Sequence, residues 1–343
     1  LISKLPQEGL IIKLYTYTVT LFKQWGCTMP MNRIQFQPGL SLVQFLRDYG
    51  SEAQCEAAVV KARWPNGFVC DRCQCTRFSP THNGRRLWQC KDCGYQSSSI
   101  VGSVMAHTKL PLTTWFLAMF WMTQSKSGIG ALPLMRHLGV SYPTAWLIRH
   151  KLMQVMFERE QATLLSGRIE IDDAFLGGEQ PGRQGRGGNK VPFLAAVETD
   201  LRGRPQIVRF DRVENHSIEA IQQWAAKAIA PESLVLSDGW PGFQRLNTLV
   251  QCHEPHITGH GPKAAQHPEF HWVNTLLSNL KTALSGTFHA FAFKKYGHRY
   301  LAEFAYRFNR RNNLKTMLPR LLFAVVASKP HPLSRIRLPE PAC

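Results

Sequence analysis

Residues 168–178 read RIEIDDAFLGG, and the alternation inside them sets the reading of the whole chain. From Arg168 to Phe175 polar and apolar side chains follow one another at the period of two that a half-buried strand requires. Asp172 stands in the middle of that run, where a carboxylate is rare unless something holds it. The glycines that follow open a Gly- and Arg-rich loop reaching to Lys190.

Downstream, Val191–Glu198 and Gln206–Phe210 read as two further strands around a turn at Leu201–Arg204. Ser217 is placed to cap a helix to Ala230, with Ile218, Ile221 and Trp224 on one face. Leu234–Asp238 (LVLSD) is a fourth, buried strand that ends in an acid, and Leu249–Cys252 a short fifth. After a polar, His-rich stretch from His253 to His271 a long helix starts near Val273. A last helix, Tyr300–Arg311, ends in Arg307, Arg310 and Arg311. Three strands, helix, strand, short strand, helix is the order of an RNase H-like α/β domain.

That order gives the two acids a meaning. Asp172 is mid-strand and Asp238 ends the fourth strand, so both reach one edge of the sheet if those strands are neighbours. Two anions brought together raise each other's pKa unless a cation offsets the repulsion. Hard oxygen ligands suit Mg²⁺ or Mn²⁺, and two such ions can clamp the attacking and leaving oxygens of a phosphoryl displacement.

Upstream, Cys70-x-x-Cys73 and Cys90-x-x-Cys93 are separated by sixteen residues. Two knuckles at that distance can gather four thiolates around one tetrahedral Zn²⁺, leaving no open position, so the zinc is structural. Arg85–Gln89 forms a strand between them, and Gly94 supplies a flexible turn. Cys27, Cys55, Cys75, Cys252 and Cys343 read as reduced thiols. Before the ribbon, Ser41 caps a helix through Phe45 and Leu46, and Ser51 a second through Ala62. After it, a helix from Pro111 breaks at Gly128-Ile129-Gly130. Ala131–Leu138, Gly139 and a helix from Tyr142 to Met153 capped by Ser141 then follow. This outline fits a helix-turn-helix, with Tyr142, Thr144, Arg149 and Lys151 meeting DNA, and equally an ordinary helical hairpin.

The bulk properties agree with a nucleic-acid partner. Lys and Arg number 41 against 23 acids, a net charge of +18, which gathers polyanions. The 44% apolar content is that of a globular chain. No run approaches a spanning segment, and no secretory signal is evident, so no membrane partner and a cytoplasmic place are expected. The chain opens on Leu1, with its first methionines at Met29 and Met31. Residues 1–28 show no clear period, and residues 1–30 carry only three lysines against one glutamate. They are expected to be non-native or upstream-translated sequence.

Together the ribbon cysteines, IEIDDAFLGG (169–178), LSDGW (236–240), HWVNTLLSNLKTALSGTFHAF (271–291) and YLAEFAYRFNRR (300–311) resemble bacterial insertion-sequence transposases that carry an N-terminal zinc ribbon and a DDE-type catalytic domain. The resemblance runs from about Met31 to Leu314. It departs at the third acid. Thirty-five residues separate Asp238 from Asn274, and Lys281 lies seven further on. In most of the group Glu fills the register of Asn274, while a subset carries Asn. Asn274, Ser278 and Lys281 share one helix face; Asn279 is the rival ligand and fits neither spacing.

The resemblance implies that Asp172 and Asp238 ligate both Mg²⁺ or Mn²⁺ ions and that Asn274 completes one shell. Lys281 would touch a DNA phosphate, with Glu170, on the face of Asp172, as an accessory. It implies hydrolysis at the element end, then attack of the freed 3′-hydroxyl on target DNA. The partners would be double-stranded element ends and target, a homo-oligomer would form on DNA, and the protein would be nucleoid-associated. His253, His256, His260 and His267 are read as loop or DNA-facing residues. The rival readings are a non-enzymatic DNA-binding regulator with a dead domain and a nuclease that cuts without joining. The expected organisation after residue 30 is a helical lead-in over 31–66, the ribbon over 67–97 and the helix-turn-helix-like region over 98–165. The catalytic domain follows over 166–325, with a tail over 326–343.

Overall fold

Ser41 and Ser51 cap the first two described helices, as their positions predict. In the computed structural model, which describes residues 32–81, 87–177, 190–257, 267–289 and 291–339, the chain divides after Gln37. In the described part of the first unit, Asn32 Oδ1 accepts the N–H of Ile34. The expectations for residues 1–30, for the loop after Gly177 as far as residue 189, for Arg85 and for His260 lie outside the described residues.

The second unit begins at Pro38. Helix α1 (Leu42–Tyr49) starts where Ser41 Oγ accepts the N–H of Gln44, and α2 (Glu52–Arg63) opens on a reciprocal Ser51–Gln54 capping box. The ribbon is a three-stranded antiparallel sheet of β1 (Phe78–Pro80), β2 (Leu87–Cys90) and β3 (Gln96–Ser98). Helix α3 (Leu112–Gln124) has no side-chain cap of its own. Glu52 of α2 supplies one, accepting from Leu112 N at 2.9 Å and Thr113 N at 3.1 Å, a carboxylate on the positive end of the helix dipole. Then come α4 (Ala131–Leu138) and α5 (Tyr142–Gln161). Ser141 does not cap α5 through its side chain; its hydroxyl pairs with Thr144 Oγ1 instead.

The RIEIDDAFL stretch is β4 (Arg168–Leu176), the centre of a five-stranded sheet with β5 (Val191–Thr199), β6 (Pro205–Arg212), β7 (Leu234–Ser237) and β8 (Cys252–Pro255). The order is β6-β5-β4-β7-β8, with β4 antiparallel to β5 and parallel to β7. The fifth strand lies three residues later than expected, because the chain at Leu246–Thr248 turns as a short 3-10 helix. Helix α6 (Ile218–Ala228), capped by Ser217, joins β6 to β7.

Parity along the strands decides what each face sees. Ile169 and Ile171 of β4, Val235 of β7 and Trp224 of α6 form one core. Ala174, Leu176 and Leu236 join the other, with α7 (His271–Ala283) and α8 (Phe293–Asn309). Glu170 and Asp172 therefore lie on the α7 side of the sheet. Helix α8 begins seven residues before the expected start at Tyr300, and it is not the last. Helix α9 (Met317–Ala327) buries Leu318, Leu321, Leu322 and Val325, and α10 (Leu333–Ile336) follows, so residues beyond Leu314 are part of the packed body. Among the described residues no helix is long and apolar enough to cross a membrane.

Candidate active site

The acids meet because β4 and β7 are parallel neighbours. Their ladder ends at Glu170↔Leu236, and both chains continue past it, β4 into Asp172 and β7 into Asp238. One carboxylate oxygen each from Asp172, Asp173 and Asp238 lie within 4.8 Å of one another. Asp238 Oδ1 is steadied by the N–H of Trp240 at 3.0 Å. Burial, then the charges of Asp173 and Asp238, push the Asp172 carboxyl up to about 7, with Lys281 opposing. A crowded group of oxygen donors that resists its own ionisation fits a divalent cation, which would relieve the repulsion.

Asp173 was not among the sequence candidates. Alternation assigns it to the opposite face from Asp172, and its carboxylate indeed touches His216 Nδ1 at 3.3 Å. It still reaches the cluster at this end of the sheet. The doubled Asp in the motif was the available signal.

Glu170 has a definite place. It is fully buried, and its Oε2 accepts the N–H groups of Trp272 at 2.9 Å and Val273 at 3.0 Å, capping the first turn of α7. Its Oε1 pairs with Arg168 at 3.0 Å, and Arg168 also binds Glu269. Glu269 is thus engaged outside the acid cluster. Through Glu170, the strand of Asp172 holds the helix that carries the third motif.

That helix lines a cavity of about 890 Å³ together with Asp172, Asp173 and Lys190. Asn274, Ser278 and Lys281 all face it, and so does Asn279. Asn274 is half-buried, whereas Asn279 and Lys281 are exposed.

The residues expected to meet DNA fare differently. Tyr142 is exposed and Thr144 half-buried at the start of α5. Lys151 is half-buried, with Nζ donating to Val104 O at 3.1 Å. Arg149 is a correction: it is 1% exposed, donates to Glu303 at 2.7 Å and to Ile129 O at 2.7 Å, and lies over the rings of Phe288 and Tyr300. Arg307 is likewise buried on the same Glu303. Arg310 pairs with Glu160, and Arg311 donates to the carbonyls of Gln206 and Phe308. Desolvation makes such cations seek internal partners, and all four are engaged within the fold, Arg149 and Arg307 buried and Arg310 and Arg311 half-buried. Among the histidines, His253 pairs with Ser237 Oγ at 2.8 Å, and His256 and His267 pack on Phe270.

In the ribbon, Cys70, Cys73, Cys90 and Cys93 bring their sulfurs within 4.8 Å of one another, with Cys70–Cys93 at 3.6 Å and Cys73–Cys90 at 3.5 Å. Four thiolates at ~2.3 Å from one zinc stand about 3.8 Å apart, so the spacing fits that ion and is far too long for a disulfide. Both knuckles close alike. Gln74 N bonds Cys70 O and Gly94 N bonds Cys90 O, with φ of 60° and 68° at the residue after the second cysteine. Cys75 lies outside the four.

Comparison with known proteins matches residues 50–96 to a family described as transposase zinc-ribbon domain and residues 164–309 to one described as ISXO2-like transposase domain. A curated relative is described as an uncharacterized protein in transposable element ISH50 of Halobacterium salinarum. It is 25% identical over 142 residues, covering 40% of this chain and 47% of the relative, so the chain spans about half of that protein's length.

Proposed function

From a chain that joins a transposase zinc-ribbon domain to an ISXO2-like transposase domain, we propose a DNA transposase that cuts the ends of an insertion sequence and joins them to target DNA. The observation that carries this reading is the convergence of Asp172 and Asp238 from adjacent parallel strands, with Asp172 and Asp173 in the wall of the cavity that α7 lines. In this reading the sheet is RNase H-like: three antiparallel strands continue into two parallel ones, and the acids sit where the parallel pair ends.

Asp172 and Asp238 would hold two Mg²⁺ or Mn²⁺ ions, Asn274 would offer an amide oxygen, and Asp173 would add the charge an amide lacks. When bound, such ions stabilise the attacking and leaving oxygens of an in-line displacement. The protein groups do the rest. Glu170 fixes the first turn of α7, so that Asn274, two residues on from Trp272, keeps its place opposite Asp172. Lys281, exposed on the same face, pairs with a DNA phosphate as a point charge. The four ribbon cysteines hold a structural zinc, and DNA contact by the ribbon and the start of α5 presents the substrate. The protein is expected to act as a homo-oligomer on DNA, in the cytoplasm with the nucleoid.

The test is a cleavage and strand-transfer assay on the element's own terminal DNA with Mg²⁺ or Mn²⁺. Wild-type protein should cut and join, while Asp172→Asn and Asp238→Asn bind the ends without cutting. Cutting that survives both substitutions would remove the acid cluster from the mechanism, and cutting without joining would leave a nuclease.

A further inference from the structure

A second cavity, of about 680 Å³, opens between the 106–110 segment, the first turns of α5, and residues of α8 and α10. It shares no lining residue with the acid site. Its wall includes the rings of Trp115, Tyr142, Trp146 and Tyr296 and the cations Lys109, Lys151 and Arg337, and among the described residues no Asp or Glu lines it.

These groups are held in readiness. Trp146 is half-buried, packed on His150 at 4.0 Å between centroids and edge-on to Tyr296 at 5.7 Å. Tyr142 is 48% exposed at the mouth. Lys109 and Arg337 are exposed and form no ion pair among the described residues. His107, also in the wall, takes a left-handed φ of 59°. A non-glycine residue in that region costs energy, and such strain gathers at binding sites.

A cavity rich in aromatic faces and cations, with no carboxylate among the described residues, selects a ligand that is both flat and anionic. Acidic peptides would satisfy the cations but leave the rings without a stacking partner. Duplex DNA docked along a convex helix would need no aromatic hollow. The volume is that of a small-ligand site. We propose that this cavity binds a nucleotide of an unpaired DNA strand, with its base against the rings of Trp146 and Tyr142 and its phosphate at Lys109 and Arg337. The proposal rests on the transposase reading and extends it, since it makes the start of α5 a seat for a separated strand rather than a reader of duplex.

The test compares a fluorescein-labelled oligodeoxythymidylate with an abasic strand of equal length, by anisotropy over a range of salt. Wild-type protein should bind the base-bearing strand roughly tenfold more tightly, the increment of a stacked base. Trp146→Ala should remove that preference and leave the abasic affinity unchanged. Tyr142→Ala tests the same wall from an exposed position, should the tryptophan variant fail to fold. Lys109→Ala and Arg337→Ala should weaken both strands, and each should lower the salt slope by about 0.7, the value for one phosphate no longer neutralised. Equal wild-type affinity for the two strands, or a preference that survives both ring variants, would overturn the proposal. Cleavage by Asp172 and Asp238 without a base preference would sink the cavity and spare the transposase reading; a base preference without cleavage would do the reverse.

Discussion

At position 274 the chain offers an amide where the group it resembles mostly carries Glu, and the consequence is one of charge. A neutral oxygen still ligates a divalent ion, but it adds nothing to the electrostatic attraction. Asn274→Ala should therefore impair cleavage, with part of the loss recovered at higher Mg²⁺ or with Mn²⁺, while Asn279→Ala, at an exposed position, should be milder. The reverse ranking in a metal titration would put the third motif in another register. Asp172 gives a pH signature without turnover. Its folded pKa of about 7 lies above the ordinary carboxylate value of 3.8, so ionising it costs stability progressively as pH rises through that interval. Without added Mg²⁺ or Mn²⁺, Asp172→Asn should melt several degrees above wild type at pH 8 and lose most of that advantage at pH 5. Mn²⁺ should raise the Tm of wild type and not of the variant; a variant that melts lower at pH 8 would show that the repulsion is not stored there. That Asp172 and Asp238 meet was legible from one acid inside a strand and another at a strand's end, whereas Asn274 was named by the register of the resemblance. The place of Glu170 was not, since a strand residue capping a helix 102 positions away leaves no trace in local pattern.

Elements were legible wherever period and caps agreed. Ser41, Ser51 and Ser217 each accept from a backbone N–H three residues on, and β4 and α4 match their expected spans closely. The fifth strand was misplaced because Cys252–Pro255 is a short, largely exposed edge with no alternation to read. The ribbon is the element whose stability depends most on a ligand. Its own core is small, centred on Trp64, Phe68, Cys70 and Cys90, so the metal must supply folding energy that burial cannot. Purified protein should contain about one zinc per chain by elemental analysis. Cys90→Ser should lose the zinc and DNA binding together, and Cys75→Ser should lose neither. A Cys90→Ser protein that folds and binds DNA normally would end the four-thiolate assignment.

Across the whole molecule the basic excess divides into charge that reaches solvent and charge that does not. Arg149, Arg209, Arg299 and Arg307 are all buried, and the Arg149–Glu303 bond joins residues 154 positions apart, tying α5 to α8. Gly128 completes that joint. Its φ is +82°, and a Cβ there would stand 2.9 Å from both Arg307 and Glu303, so glycine fits this close approach; the helix itself ends earlier than expected, at Gln124, where Ser125 turns extended. Charge counting could not foresee this, because a basic residue in a helix looks the same whether its partner is phosphate or a distant glutamate. The two destinations predict different experiments. If Arg149 met DNA, Arg149→Met would lower the slope of log affinity against log salt by about 0.9, the release of one counterion from duplex. Placed as it is, the substitution should leave the slope unchanged and instead cost about 3–5 kcal/mol of unfolding free energy, because Glu303 is left buried without its full complement of positive charge. Urea denaturation reads the second effect, and anisotropy on duplex DNA at low temperature reads the first. Arg310→Met, at the half-buried pair with Glu160, should behave in the same direction with a smaller loss. Binding by the wild type should still fall steeply with salt, carried by the exposed lysines and arginines. A lowered slope in Arg149→Met with unchanged stability would mean that this arginine leaves Glu303 for a phosphate when DNA binds.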